Sequence, residues 1–308
     1  MRPIVQLHAS SSRYSAAILL TPMLLIGLLS GCSGVTHRLQ VDGETRGFRL
    51  HVPKQLPPEQ AVPLVLALHA FSDTPRGMAY MTGLSEVADA EGFIVAYPQG
   101  KRRMWNSEAD GGTDDVAFLD ALLDKLLAEY PIDPTRIYAT GASAGAMMIQ
   151  FYTCQRDRLA AIAPVMGPLR DATFQDCNAT TPVLGMHGVS DPVIPYAGGL
   201  TDAGPGRSMP FYGAEESAAL WAELLGCGAP PTETLLRNEA GQIVARRYAY
   251  GCAPDREVLF YAVEDHGHTW PGGRNRYPRF IVGELADDFN ATQTIWAFFQ
   301  RHQRDGTP

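Results

Sequence analysis

Beyond residue 36 the hydrophobic positions follow two different rhythms. His37-Arg-Leu-Gln-Val41 and Gly47-Phe-Arg-Leu-His-Val52 alternate apolar with polar side chains around Asp42-Gly43, a pattern that predicts an antiparallel hairpin. A proline-rich stretch from Pro53 to Pro63 leads into Leu64-Val-Leu-Ala-Leu68, which is apolar throughout, as a strand covered on both faces must be. Strand and helix patterns then take turns. Helix is predicted over Met78 to Glu91, Asp115 to Glu129 and Ala144 to Tyr152, and strand over Phe93 to Tyr97, Arg136 to Thr140 and Ala160 to Val165. Pro182 to His187 reads as a further strand, and Ala197 to Pro210 as a long loop rich in Gly and Pro. A helix over Glu215 to Leu225, strands over Ile243 to Ala249 and Glu257 to Val263, and a final helix from Asn290 to near His302 complete the chain. Asn290 with Gln293 three residues on is a capping-box pattern. Such alternation predicts an α/β fold: a mostly parallel central sheet with helices on both faces, opened by the antiparallel hairpin.

The first residues follow another logic. Arg2 and Arg13 precede an apolar run from Ala16 to Leu29, and Leu29-Ser30-Gly31-Cys32 follows. A basic segment, an apolar segment and small residues before a cysteine make residues 1–31 a lipoprotein signal peptide, read against the plainer alternatives of an uncleaved anchor or a secretory signal. Cys32 is then the lipidated first residue, residues 32–36 a short tether, and 37–308 one folded domain, held at a bacterial membrane without spanning it. Ser33 after that cysteine points to the outer membrane, so the chain is expected in the cell envelope, lipid-anchored at the outer membrane or facing the periplasm, with secretion as the alternative.

Composition narrows the partners. The whole chain of 308 residues carries 25 basic and 33 acidic side chains. Without residues 1–31 it loses Arg2 and Arg13 and no acid, leaving 23 against 33, a formal charge of −10. Nucleic acid is an improbable partner for such a chain, because a phosphate backbone calls for a basic face. Four cysteines remain beside Cys32, namely Cys154, Cys177, Cys227 and Cys252. An even number in an exported chain favours disulfides, and of three connectivities the neighbours in sequence, Cys154 with Cys177 and Cys227 with Cys252, are the simplest. The tripeptides at Asn178 and Asn290 match glycosylation acceptors and read as chance in a bacterial lipoprotein.

The chemistry gathers at the ends of predicted strands. Arg136-Ile-Tyr-Ala-Thr140 runs into Gly141-Ala-Ser-Ala-Gly145 and then into a helix, the layout of a nucleophile elbow that holds a serine hydroxyl exposed at a sharp turn. A serine nucleophile needs a base, and the base an acid that fixes its tautomer. In a parallel-sheet hydrolase these follow the serine in the order acid, then histidine. Asp191 lies just past a strand in His187-Gly-Val-Ser-Asp191-Pro-Val-Ile-Pro195, and Glu264-Asp-His-Gly-His268-Thr-Trp-Pro-Gly-Gly273 offers His266 and His268. His187 reads as a hydrogen-bonded structural histidine. The pair His266-x-His268 with Asp265 lacks a third ligand for zinc, so no metal or cofactor is expected. Asp114 and Asp115 read as an N-cap and a first-turn charge.

Gly-Ala-Ser-Ala-Gly, His-Gly-x-Ser-Asp-Pro-Val-Ile-Pro-Tyr and Gly-His-Thr-Trp-Pro-Gly-Gly together resemble the secreted esterase family of polyhydroxybutyrate depolymerases and feruloyl or acetylxylan esterases, of the α/β-hydrolase fold. Trp105-Asn106, Asp114-Asp115-Val116 and Gly226-Cys227 fall where such chains carry similar pieces. The resemblance implies Ser143 as nucleophile, Asp191 as acid and His268 as base, with His266 at a position usually held by glycine. Backbone N–H groups of Ala144 and Phe71 are the expected oxyanion donors, and His69, Trp105 and Trp270 the candidate walls of the substrate pocket. Trp270 reads equally as packing beneath the loop. Where relatives usually read Leu-His-Gly, this chain reads Leu68-His69-Ala70; if that glycine takes a positive φ, alanine would strain the loop by about 1 kcal/mol. The expected activity is hydrolysis of a small or oligomeric carboxylic ester by a monomer. A catalytically impaired binding lipoprotein and a serine peptidase of the same fold are the alternatives.

Overall fold

Continuously apolar runs have one stable destination, the middle of a sheet covered on both sides. The computed structural model describes residues 36–305 except 57–59, 108–112, 175–176 and 203–207. The signal peptide, Cys32 and residues 33–35 of the tether lie outside the described residues. The hairpin is β1 (His37–Val41) and β2 (Glu44–His51), followed by β3 (Val62–Leu68), helices α1 (Pro75–Thr82) and α2 (Leu84–Glu91), and β4 (Ile94–Pro98). Next come α3 (Asp115–Glu129), β5 (Ile132–Ala142), α4 (Ala144–Gln155), β6 (Ala161–Val165), α5 (Asp171–Phe174) and β7 (Val183–Gly188). The last third holds β8 (Gly199–Asp202), β9 (Ser208–Phe211), α6 (Ala214–Leu224), β10 (Gly228–Arg237), β11 (Ile243–Gly251), β12 (Val258–Val263), α7 (Arg279–Val282) and α8 (Ala291–Phe299).

Among the described residues ten strands form one sheet in the order β1-β2-β4-β3-β5-β6-β7-β12-β11-β10. The six central strands, β4 to β12 in that order, are parallel, and an antiparallel pair closes each edge. Side-chain alternation along β3 shows how two cores arise from one run. Val65 and Ala67 face a layer with Met78, Leu84, Val87, Trp296 and Phe299. Leu64, Leu66 and Leu68 face the other, with Phe118, Leu122, Met148 and Trp221. Helices α1, α2 and α8 thus cover one face, and α3, α4 and α6 the opposite one.

Local chemistry sets the helix ends. The Asp114 side chain accepts from the Ala117 N–H at 2.8 Å, starting α3 where the sequence predicts. Asn290 accepts from Gln293 N–H at 3.0 Å and starts α8. The helix predicted over Met78 to Glu91 is two helices, because Gly83 takes φ 63° and ends the first. The loop predicted over Ala197 to Pro210 contains the small β8–β9 pair. Disulfides join Cys154 to Cys177 and Cys227 to Cys252, the sequence-neighbour pairing.

Candidate active site

The six parallel strands bring their C-terminal ends to one edge, where open α/β sheets gather ligands. Ser143 stands between β5 and α4 with φ 53° and ψ −116°, a conformation that L residues rarely adopt. Its backbone is pinned on both sides: the Ser143 N–H donates to Val165 O at 2.9 Å, and Ser143 O accepts from Met147 N–H at 3.1 Å. Gly141 and Gly145 make the corner possible. A Cβ on Gly141 would overlap the Gly145 backbone, and one on Gly145 would overlap the carbonyl of Leu68 and lie 2.7 Å from that of His69. Gly145→Ala is therefore expected to push the 68–71 loop away from α4, costing about 1–3 kcal/mol of stability together with several-fold in kcat. Urea melts and p-nitrophenyl acetate assays on one preparation check both, and a variant matching the parent in each would contradict this account.

Asp191 follows β7, and its side chain is wholly buried. Oδ1 accepts from the Val193 and Ile194 N–H groups, both at 2.8 Å. Oδ2 accepts from His268 Nδ1–H at 2.7 Å and lies 3.2 Å from His187 Nε2. Burial alone would raise the pKa of this carboxyl, but the hydrogen bonds from His187 and His268 outweigh it and hold the group well below the ordinary carboxylate range. His187 also reaches Ile194 O at 2.9 Å, so it braces the turn that carries Asp191. Met147 of α4, Ile194 and Phe211 pack as one cluster and tie the serine corner to that turn.

His268 follows β12, with its side chain only 11% exposed and its backbone N–H donating to Val282 O at 2.6 Å. With Nδ1–H directed at Asp191, Nε2 is left as the proton acceptor. His266 is committed elsewhere. Its Nε2–H meets Thr269 O at 3.0 Å, and its Nδ1 accepts from Ala286 N–H at 2.9 Å. Both ring nitrogens are therefore taken, which leaves no His266-x-His268 ligand pair. Burial moves the His266 pKa down.

Of the candidate pocket walls, His69 needs correction, and for Trp270 burial selects the packing reading over the pocket one. Trp270 is 2% exposed and donates its indole N–H to Thr292 Oγ1 at 2.9 Å, so it packs beneath the histidine loop and does not line a pocket. His69 is fully buried. Its Nδ1–H donates to Ala70 O at 2.7 Å, and its Nε2 accepts from Gly100 N–H at 3.0 Å. Burial pushes its pKa down to about 4, so the ring stays neutral and serves as a brace. Trp105 is half-buried against His69 and donates its indole N–H to His69 O at 2.9 Å.

Ala70 does not take a positive φ, so its side chain brings no strain to the loop. The positive φ in this turn, 62°, belongs to Ser72, while Asp73 N–H closes on Ala70 O at 3.1 Å. Phe71 lies within the turn, with its side chain 62% exposed.

Some contributors had no local signal. Asp115 is more than a first-turn charge: it is buried, paired with Arg46, and accepts from Asn106 N–H at 2.7 Å, which anchors the Trp105 loop. Asp73, 2% exposed, pairs with Arg276 and so links the Phe71 turn to the loop that follows His268.

A largely parallel sheet that carries a serine at a strained strand-to-helix corner defines an α/β hydrolase. The family model "Esterase PHB depolymerase" matches residues 48–194. NocK of Nocardia uniformis subsp. tsuyamanensis, described as an esterase, is 31% identical over 280 residues, 84% of this chain and 80% of its own. An Aspergillus clavatus protein described as a feruloyl esterase C is 27% identical over 306 residues, 93% of this chain and 97% of its own. Among solved structures, the acetyl xylan esterase from Aspergillus awamori superposes with a TM-score of 0.59 at 15% identity, covering 83% of this chain and 94% of that one. The chain belongs to the esterase family of the polyhydroxybutyrate depolymerase type, and it is a carboxylic ester hydrolase.

Proposed function

We propose that Ser143, His268 and Asp191 hydrolyse the ester through an acyl-enzyme. Ser143 Oγ attacks the ester carbonyl while His268 Nε2 takes its proton, and Asp191 holds the imidazole and stabilises the imidazolium that forms. The N–H groups of Ala144 and Phe71 stabilise the oxyanion, Ala144 adding the positive end of α4. The tetrahedral intermediate collapses, His268 protonates the departing alkoxide, and water then repeats the sequence to free the acid and Ser143. The observation that carries this reading is the 2.7 Å bond from His268 to a saturated Asp191 carboxylate, on loops that follow β7 and β12, two and three strands along the sheet from β5, which delivers Ser143.

Relatives described as feruloyl esterases, an acetylxylan esterase and a poly(3-hydroxyalkanoate) depolymerase support hydroxycinnamoyl, acetyl or short hydroxyalkanoate esters as the substrate class. A fluorophosphonate reagent is expected to attach to Ser143, as read by peptide mass spectrometry. An active enzyme that stays unlabelled, or is labelled elsewhere, overturns the assignment.

The site works in an envelope compartment on this reading, with the chain tethered through a lipid on Cys32. The Leu29-Ser30-Gly31-Cys32 sequence and the two disulfides support that location. Among the described residues no helix is long and apolar enough to cross a membrane. Cys32→Ser is expected to move the protein from the detergent phase to the aqueous phase; unchanged partitioning would count against the anchor.

A further inference from the structure

The chain is acidic, with 33 Asp and Glu against 25 Lys and Arg, yet the turn beside its ester site is cationic. Lys101-Arg102-Arg103 follows β4 at the C-terminal edge of the sheet, next to the loop that follows β3. Ser72 N–H donates to Arg103 O at 2.8 Å, and Gly100 N–H reaches His69 Nε2 at 3.0 Å, so this turn is bolted to the one carrying Phe71.

Arg102 has φ 53° and Arg103 φ 63°, and Ser72, their bonded neighbour, has φ 62°. Glycine or asparagine takes this conformation more readily, and both arginines are exposed, so packing does not account for their identity. Strain held in a functional loop is a pointer to what the loop binds.

Neighbouring cations are already committed. Lys101 pairs with Glu44 at 2.5 Å, and Arg276 pairs with Asp73. Among the described residues neither Arg102 nor Arg103 has a carboxylate partner. The same rim exposes the apolar side chains of Phe71, 62% accessible, and Met104, 43% accessible.

We propose that Arg102 and Arg103 form an anion subsite on the rim of the ester site, and that the ester hydrolysed here also carries a carboxylate. The proposal rests on the reading of Ser143 as the nucleophile. Guanidinium groups bind carboxylates through paired, charge-assisted hydrogen bonds. A local positive field on an otherwise negative protein also draws an anionic substrate to the site. Two sources offer this chemistry: the free acid end of a hydroxy-acid oligomer and a uronic acid on a sugar ester.

The test uses the full-length enzyme and two matched substrate pairs. One is a hydroxybutyrate dimer with a free carboxylate against the same dimer ending in a carboxamide. The other is an acetylated xylo-oligosaccharide with and without a uronic acid branch. The reading is the ratio of kcat/KM, charged over neutral. In at least one pair the ratio is expected to reach about tenfold or more at low salt and to fall toward one as salt rises to about 0.5 M. The Arg102→Gln/Arg103→Gln double variant should also bring it toward one, while Arg102→Lys/Arg103→Lys keeps most of it. The pair that responds identifies the source of the carboxylate.

A ratio near one in both pairs, from an enzyme that cleaves p-nitrophenyl acetate, overturns the subsite. So does a preference indifferent to both salt and the Gln substitutions. Should the double variant fail to fold, the salt dependence of the parent enzyme decides. A parent enzyme inert toward p-nitrophenyl acetate would instead sink the reading of Ser143.

Discussion

Ser143→Ala is expected to lower kcat on p-nitrophenyl acetate by about 10⁴-fold or more while leaving the unfolding midpoint almost unchanged. The first half follows from the chemistry: without Oγ there is no acyl-enzyme, and only oxyanion donors and binding remain. The second half follows from how the corner is held. Its bonds, to Val165 O and from Met147 N–H, belong to the Ser143 backbone and survive the substitution. Alanine keeps a Cβ and bears much the same penalty for φ 53° as serine does. KM should shift little, because the lost interaction forms in the transition state. Single-turnover kinetics and a urea melt on one preparation check both halves. Retention of full esterase activity would remove Ser143 from the mechanism.

What could be read from the chain divides by distance along it. The serine corner was legible because strand, Gly-x-Ser-x-Gly and helix are contiguous, and each glycine answers to a backbone approaching it. Asp191 and His268 were legible as ordered motifs after strands, and the structure joins them across 77 residues. The braces around them were not. Arg46 with Asp115 spans 69 residues and Asp73 with Arg276 spans 203, and no periodicity marks either pair.

Strand β10 was missed for a different reason. Pro230 and Pro231 at its start argue against a ladder, and the fold accommodates them at the sheet edge, where the register shifts between Gly228 and Thr232. His69 reads as a pocket wall, and Trp270 equally as wall or packing, because histidine and tryptophan in site loops are often functional. Only their burial and hydrogen bonds show them to be supports.

Asp191→Asn is expected to cost about 10³- to 10⁴-fold in kcat with the fold retained. The carboxylate accepts from His268 Nδ1–H and so leaves Nε2 free as base. An amide NH₂ at the same place is a donor, which favours the other tautomer, with the proton on Nε2 and the base lost. The substitution also changes how stability depends on pH, and the sign is fixed by the direction of the shift. The folded-state pKa of Asp191 lies below the unfolded value near 3.9. Its stabilising contribution is therefore fully present above that value and is lost as pH falls through the folded pKa. The Asn variant has no such group to titrate, so its stability should fall less steeply over this acid window than the parent's. Unfolding midpoints from about pH 5 downward, set beside kcat at neutral pH, check the two effects independently. A variant with nearly full kcat would show that His268 does not need Asp191, and an unchanged acid slope would show that the carboxylate is not held in its charged form by His187 and His268.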